Sequence, residues 1–165
     1  MVSEVMHKAS VGFRPVDSND DGFLFALYAS TREDELAGLP FDESQRETFL
    51  KMQFAAQKQD YQKRFPDGEQ LVIMLEDAAI GRLYVARNEG EIRILDIALV
   101  PALRNKGIGT SIITRLLGEA ARARKPIRIY VERFNPSIRL FERLGFCAAD
   151  DIGTHFLMEA PAGSP

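Results

Sequence analysis

The sequence is poor in the residues that hold metal ions, form disulfides or build histidine-based catalytic triads. It has one cysteine, Cys147, and two histidines, His7 and His155. A lone cysteine cannot form a disulfide within the chain, and these three residues lack the spacing of a zinc site. We therefore expect no metal ion and no nucleophilic site that depends on histidine.

Long apolar runs and low-complexity tracts are also missing. No run approaches the roughly 20 apolar residues that a membrane helix needs, and the first residues, MVSEVMHKAS, lack the apolar core of a secretion signal. These absences favour a cytoplasmic protein with no membrane partner. Because 45% of the 165 residues are hydrophobic and no linker-like tract interrupts them, we expect a single domain over residues 1–165, with loose termini at 1–10 and 161–165.

Positive charge is scarce outside one segment of the chain. Residues 104–143 hold ten Lys or Arg against three Glu, whereas the rest of the chain holds eleven against twenty-one acidic residues. A basic segment favours a phosphorylated ligand, and an acidic remainder favours a cationic second ligand. A solvated basic helix face is the alternative. We expect no nucleic-acid partner, because aromatic residues are not interleaved with the cations and the net charge is −3.

Apolar periodicity and turn residues predict an α/β (α+β) fold with the order strand, helix, helix, three strands, helix, strand, helix and two strands. The first two helices are predicted at 18–31 and from Glu43 to Phe65, with the acidic stretch TREDELAGLPFDE as the loop between them. The strands are expected in VGFRPV, EQLVIMLE, AAIGRLYVARN, EIRILDIALV, PIRIYVE, FCAADD and THFLMEA, and the later helices in GTSIITRLLGEAARARK and NPSIRLFERLG.

The strand EIRILDIALV is predicted to lie in the middle of the sheet. It is apolar on both faces from Ile94 to Val100, apart from Asp96, and Pro101 ends it. The helix and strand that follow complete a strand-helix-strand unit, so this strand and PIRIYVE are expected to run parallel. The remaining pairs favour an otherwise mostly antiparallel, mixed sheet.

The stretch RNKGIG joins this central strand to the next helix. Unpaired N–H groups at such a junction bind anions, and three kinds of glycine loop do so. A P-loop requires the lysine after the glycines, whereas Lys106 precedes them. A dinucleotide loop requires a third glycine where this chain has Ile112. The remaining pattern, Arg-x-x-Gly-x-Gly, resembles the acyl-CoA signature of the GNAT superfamily of acetyl-CoA-dependent N-acyltransferases.

The surrounding sequence extends this resemblance. LDIALVPALRNKGIG is similar to the family's strand, proline and glycine loop, and NPSIRLFERLGF is similar to its later short helix and turn. The order of elements from residue 11 to 160 resembles the family's as well. The resemblance implies a single-domain GNAT fold, a mixed sheet with a splayed parallel strand pair flanked by helices. It also implies transfer of an acetyl group from acetyl-CoA to a primary amine of a small molecule or protein by direct attack.

The resemblance also assigns residues to the binding of acetyl-CoA. The pyrophosphate is expected on main-chain N–H groups of the glycine loop, and the pantetheine arm on the open edge of the central strand. Phe141 stands where many relatives have a tyrosine that protonates the leaving thiolate, and Tyr130 or Tyr84 can take that role instead. The expected contacts are Ile97, Ala98, Leu99, Arg104, Asn105, Lys106, Gly107, Ile108, Gly109, Thr110, Asn135 and Phe141.

Three residues are expected to take part in the reaction. The resemblance assigns the oxyanion donor to the backbone N–H of Leu99. Asp96 is the one charged residue in the apolar part of its strand, where burial would favour a carboxyl group able to act as a general base. Glu132, at the end of the neighbouring strand, is the second candidate base. A structural role for Asp96, paired with Arg82 or Arg93, stays open.

The amine acceptor is expected next to the first two helices and the acidic loop between them, because negative charge attracts a protonated amine. An alternative function is a non-catalytic acyl-CoA-binding or sensing domain, which the absence of the family tyrosine favours. Both a monomer and a homodimer are compatible with the sequence. The acidic residues of the loop are Glu33, Asp34, Glu35, Asp42 and Glu43.

Overall fold

The strands and helices follow the predicted order. The computed structural model describes residues 10–162, so His7 and most of the predicted loose termini lie outside the described residues. The strands are β1 (Val11–Pro15), β2 (Glu69–Leu75), β3 (Ala78–Arg87), β4 (Ile92–Leu99), β5 (Ile127–Glu132), β6 (Cys147–Asp151) and β7 (His155–Ala160). The helices are α1 (Asp21–Ala37), α2 (Glu43–Arg64), α3 (Ile108–Ala123) and α4 (Ser137–Arg143).

The strands form one mixed, seven-stranded sheet in the order β1-β2-β3-β4-β5-β7-β6. The pair β4 and β5 is parallel, and β1 with β2, β5 with β7 and β6 with β7 are antiparallel, as expected. The parallel register runs only from Ile92 and Ile127 to Ile94 and Ile129, although both strands continue beyond it. The splayed parallel pair is therefore confirmed.

The described chain divides into two compact units. The first contains residues 10–83 and 97–104, and the second contains residues 84–96 and 105–162. The chain passes from one unit to the other within β3 and within β4. The domain boundaries expected at residues 1 and 165 stay a prediction.

Aromatic packing joins α1 to α2 in the first unit. Tyr28 and Leu50 are buried, and the Tyr28 ring lies 5.2 Å from that of Phe54. The start of α2 is fixed by a capping box, in which the Asp42 carboxylate accepts the Gln45 N–H at 2.8 Å and the Gln45 amide oxygen accepts the Asp42 N–H at 3.0 Å. None of the described helices, including the 22-residue α2, is long and apolar enough to cross a membrane.

The first helix is longer than the sequence suggested. The prediction ended it at residue 31, but α1 continues to Ala37, so Glu33, Asp34 and Glu35 lie on its last turns rather than in a loop. Leu36 is 2% exposed and packs in the cluster that joins α1 to α2, and this burial extends the helix through the charged stretch. The loop that follows is short, because α2 begins at Glu43.

Helix α3 packs through one apolar face in the second unit. Its buried residues repeat at spacings of three and four, as the sequence predicted. Several cations of the basic segment are held by internal partners in this unit: Arg128 lies 3.0 Å from Glu91 and 3.1 Å from Glu159. Arg133 is likewise paired with Asp151, so the positive charge of these two arginines is offset locally. The buried residues of α3 are Ile108, Ile112, Ile113, Leu116 and Ala120.

An ion pair before α1, between the half-exposed Arg14 and the buried Asp20, makes the stability of the first unit sensitive to acid. The Arg14 guanidinium donates to both oxygens of Asp20, at 2.7 and 2.9 Å, and this pairing, together with the hydrogen bond from the Asp17 N–H, lowers the pKa of Asp20 from 3.8 to about 2. Because the folded protein holds this carboxylate ionised, its stabilising effect is complete above pH 4 and is lost as the pH falls towards 2.

We expect Asp20→Asn to lower the free energy of unfolding at pH 7 by about 1–3 kcal/mol, because one side of a charged hydrogen-bond pair is lost. The variant should also lose part of the dependence of stability on pH below 4. Denaturant unfolding at pH 7 and pH 3 measures both effects, with the exposed Asp21→Asn as the control. Equal acid sensitivity in the wild type and Asp20→Asn would contradict this assignment.

Candidate active site

The glycine loop presents several backbone N–H groups at the start of α3. Asn105 and Gly107 adopt left-handed conformations, with φ of 60° and 86°. The first backbone bond of the helix joins the Ser111 N–H to the Gly107 carbonyl at 3.0 Å, and Gly107 supplies no side-chain cap. The N–H groups of Ile108, Gly109 and Thr110 therefore have no carbonyl partner within the helix. They form a compact group of donors at the positive end of the helix dipole.

The two glycines of this loop serve different purposes. At position 107 the backbone has a positive φ, which favours glycine over residues with a side chain. Gly109, in contrast, lies within the helix at an ordinary φ. A Cβ atom added to Gly109 would meet no atom within 4 Å. Nothing in the described protein explains the choice of glycine at position 109, so the missing side chain leaves room for a group outside the chain. Lys106, next to them, is exposed.

The end of β4 directs one peptide group away from β3 in the first unit. The Val100 N–H donates to the Ile80 carbonyl at 2.8 Å, and the carbonyl of Ala98 lies against the backbone of Gly81. Because the carbonyl and N–H of a trans peptide point in opposite directions, the Leu99 N–H must point away from β3. Gly81 was not identified from the sequence, although an isolated glycine within a strand is a recognised signal of close backbone approach.

Arg104 is held by the protein itself rather than left free in the loop. Its Nε donates to the Leu99 carbonyl at 3.0 Å, and its Nη2 donates to the Ser30 hydroxyl at 2.9 Å. The Ser30 hydroxyl in turn donates to the Leu27 carbonyl at 2.6 Å, within α1. The arginine side chain therefore ties the end of β4 to α1 in the first unit. A contact between Arg104 and the cofactor stays a prediction.

We expect Arg104→Met to reduce kcat by at least about tenfold, because losing hydrogen bonds from a charged donor frees the Leu99–Val100 peptide, which adjoins the peptide that carries the Leu99 N–H. Ser30→Ala removes one of the two bonds and should have a smaller effect of the same kind. Steady-state kinetics separates this effect from binding, since a change confined to KM would assign Arg104 to the cofactor instead. Arg104→Lys, which retains a charged donor, should recover part of the rate.

The two candidate bases occupy different parts of the second unit. Asp96 is half-buried in β4, and Glu132 is exposed at the end of β5. Ile94 and Ile129 are paired and buried on one face. Continued alternation places Asp96 on that face and Glu132 on the other, so the strand pattern does not bring the two carboxylates together.

The sequence offered two arginines as partners of Asp96 and two tyrosines as alternative proton donors, and these four side chains differ in contacts and exposure. Arg93 forms an ion pair with Glu91 at 3.1 Å, and its guanidinium lies 5.1 Å from the centre of the Tyr130 ring. Arg82 and Tyr84 are 4% and 2% exposed. Of the two tyrosines, Tyr130 therefore offers the more accessible surface.

The two predicted contacts near α4 differ in exposure. Asn135 is exposed, and its side-chain oxygen accepts the Ser137 N–H at 2.9 Å, which leaves the amide NH2 as a donor. Phe141 is 2% exposed and packs edge-on against Phe146, with 5.2 Å between ring centres. Phe141 therefore has a core role in the second unit and little surface to offer a ligand.

Comparison with known proteins agrees with this arrangement. A model of the acetyltransferase (GNAT) family matches residues 26–146. The PaiA N-acetyltransferase of Thermoplasma acidophilum in complex with coenzyme A superposes with a TM-score of 0.68 at 19% identity, covering 92% of this chain and 99% of that one. An acetyltransferase of Thermus thermophilus has a TM-score of 0.64 at 16% identity, with coverages of 92% and 97%.

A third structure, a GNAT family acetyltransferase of Elizabethkingia anophelis with acetyl-CoA bound, has a TM-score of 0.58 at 15% identity and covers 93% of this chain and 99% of that one. No curated protein matches the sequence. The solved structures share the fold, and the family model matches well over half of the chain. The protein therefore belongs to the GNAT family of acetyltransferases.

Proposed function

We propose that this protein is an N-acetyltransferase that moves the acetyl group of acetyl-CoA to a primary amine of a small molecule or protein. The observation that carries the proposal is the group of unpartnered N–H donors at the start of α3, with open space beside Gly109. Every α-helix begins with such N–H groups, and here the missing side chain at Gly109 leaves space beside them. An anion with several oxygens, such as a pyrophosphate, fits both.

The loop of the second unit is proposed to bind the pyrophosphate of the cosubstrate. Residues Asn105 to Thr110 supply main-chain N–H groups, and the helix dipole contributes about 0.3–1 kcal/mol per charge. The first turn of α3 contains no acidic residue that would repel an anion. The exposed Lys106 adds a positive charge next to the loop. Because salt screens the attraction between exposed charges, binding of coenzyme A should weaken at high ionic strength.

Backbone groups of β4 are proposed to hold and polarise the acyl end. Ile97, Ala98 and Leu99 offer main-chain groups to the pantetheine arm, as the family resemblance implies. When bound, acetyl-CoA supplies a thioester carbonyl for the amine to attack. The Leu99 N–H donates to the oxygen that becomes negative during this attack, and its orientation away from β3 supports this role.

The proposed reaction also requires the amine to lose a proton before it attacks. The amine arrives protonated and must become neutral, and Asp96 and Glu132 remain the candidate bases on this chain. Phe141 cannot donate a proton to the leaving thiolate. Since a thiol has an ordinary pKa near ~8.5, thiolate can leave without an acid, and we propose that this chain uses none at position 141.

The test is release of free thiol from acetyl-CoA in the presence of a panel of primary amines. We expect release with at least one amine, together with acetylated product detected by mass spectrometry. Calorimetry with coenzyme A measures binding separately. Binding without turnover for every amine would support the acyl-CoA-sensing alternative, and absence of binding would exclude both functions.

A further inference from the structure

Two arginines on helix α4 of the second unit have no partner in the described part of the chain. Arg139 and Arg143 are exposed, and within residues 10–162 no ion pair or side-chain hydrogen bond holds either of them. Their spacing of four residues places both on one side of the helix. Arg133 and Arg128 of the same unit differ, because carboxylates hold them. What distinguishes the two unpaired arginines from a solvated helix face is their position relative to the glycine loop.

Helices α3 and α4 lie on one face of the sheet and begin at the same edge of it. β5 is parallel to β4 and antiparallel to β7, and β6 is antiparallel to β7, so β4, β5 and β6 share one direction. In the strand order, the connections from β4 to β5 and from β5 to β6 move the same way. Two right-handed crossovers therefore place both helices on the same face. The start of α4 lies at the same end of the sheet as the glycine loop.

The rotation of α3 shows which of its sides faces α4. Glu119 pairs with Arg87 of β3 at 2.8 Å, so this side of the helix faces away from β5. At about 100° per residue, Thr110 and Leu117 lie on the opposite side. These two residues therefore line the α3 wall of the groove between the helices.

The other wall of this groove is basic. Helix α4 runs in the same direction as α3 and packs through the buried Phe141. The same rotation about that contact turns Leu140 and Arg143 towards α3 and turns Glu142 away from it. Arg139 lies next to Arg143 on the outer side. The two cations of α4 therefore border the groove, whereas its acidic residue does not.

We propose that Arg139 and Arg143 bind the 3′-phosphate of coenzyme A and select it over 3′-dephospho-coenzyme A. This inference rests on the proposed function, because it requires the pyrophosphate at the glycine loop. Packed helices lie about 8–10 Å apart, and the ribose of coenzyme A carries its 3′-phosphate at a comparable distance from its pyrophosphate. A ligand held at the start of α3 would bring this phosphate within reach of α4, where guanidinium forks bind phosphate oxygens.

Calorimetry with coenzyme A and with 3′-dephospho-coenzyme A tests the inference, since the two ligands differ only in this phosphate. We expect the wild type to bind coenzyme A at least about tenfold more tightly, as charged hydrogen bonds to one phosphate imply. The double variant Arg139→Gln/Arg143→Gln should lose this preference and bind 3′-dephospho-coenzyme A as the wild type does. Each single variant should lose part of it.

Two controls separate a local contact from the general charge of the unit. Arg122→Gln removes the same charge from an exposed position near the other end of α3, about 20 Å along the helix from Gly109. It should leave the preference unchanged. Glu142→Gln, on the far side of α4, should not weaken either ligand. Circular dichroism checks that each variant is folded.

The inference is overturned if the wild type binds the two ligands equally, or if the double variant weakens both by a similar factor. It also fails if Arg122→Gln loses the preference as fully as the double variant, because a general field of positive charge would then explain it. These results leave the proposed function to the thiol-release assay. Absence of binding by both ligands would instead contradict the proposed function and this inference together. A preference that is lost in the double variant and kept in Arg122→Gln supports it.

Discussion

Gly109→Leu is expected to weaken coenzyme A binding by at least about 100-fold without lowering the stability of the protein. The position has no positive φ, and an added Cβ meets no protein atom within 4 Å, so neither the backbone nor the first carbon of the new side chain is strained. Leucine is also a better helix former than glycine, which can raise the free energy of unfolding by up to about 1 kcal/mol. The side chain would instead fill the space next to the N–H groups of α3.

The contrast between stability and binding makes this test specific. A residue that matters only for folding cannot lose binding while its stability rises. Gly109→Ala should give an intermediate loss, and calorimetry with coenzyme A and thermal unfolding measure the two quantities. Gly118→Ala, in the middle of the same helix, is the control, since its Cβ meets only the flexible end of Arg122 at 3.4 Å. Undiminished binding by Gly109→Leu would remove the main support for the proposed function.

The parts of the fold that the sequence predicted well are those with strong local signals. The apolar face of α3, the glycine loop before it and the strand pairs that follow each other closely were all placed correctly. The end of α1 was placed wrongly because the charged stretch after residue 31 has no apolar periodicity of its own. The burial of Leu36 against residues of α2 decided that boundary, and this contact joins positions distant in sequence.

The candidate site shows the same division between local and long-range information. The loop motif could be read directly because its residues are consecutive. The bond from Arg104 to Ser30 could not, because 74 residues separate the two side chains. The motif therefore supports a hypothesis about what the loop binds, but it does not indicate which residues position the loop and the end of β4.

Gly81→Ala is expected to have the second large effect. It acts on the end of β4, where the acyl group is proposed to bind, rather than on the glycine loop. The new Cβ would overlap the Ala98 carbonyl oxygen and lie 2.9 Å from the Leu99 side chain. Because the nearest obstacle is backbone, β4 has to shift. We expect the free energy of unfolding to fall by about 2–3 kcal/mol, in the range of overpacked cores. A displaced Leu99 N–H should also reduce kcat by about 100-fold or more, as loss of an oxyanion donor does elsewhere.

The matched control for Gly81→Ala is Gly12→Ala, which adds the same methyl group to β1, where no atom lies within 4 Å. Assays well below the unfolding temperature of Gly81→Ala keep the variant folded, so that its kcat reports on geometry rather than on the folded fraction. Calorimetry should show a smaller loss of affinity for coenzyme A in Gly81→Ala than in Gly109→Leu, because Gly81→Ala does not alter the pyrophosphate loop. If Gly81→Ala retains the wild-type kcat, the peptide group between Ala98 and Leu99 does not stabilise the oxyanion, and the donor must be sought in another residue.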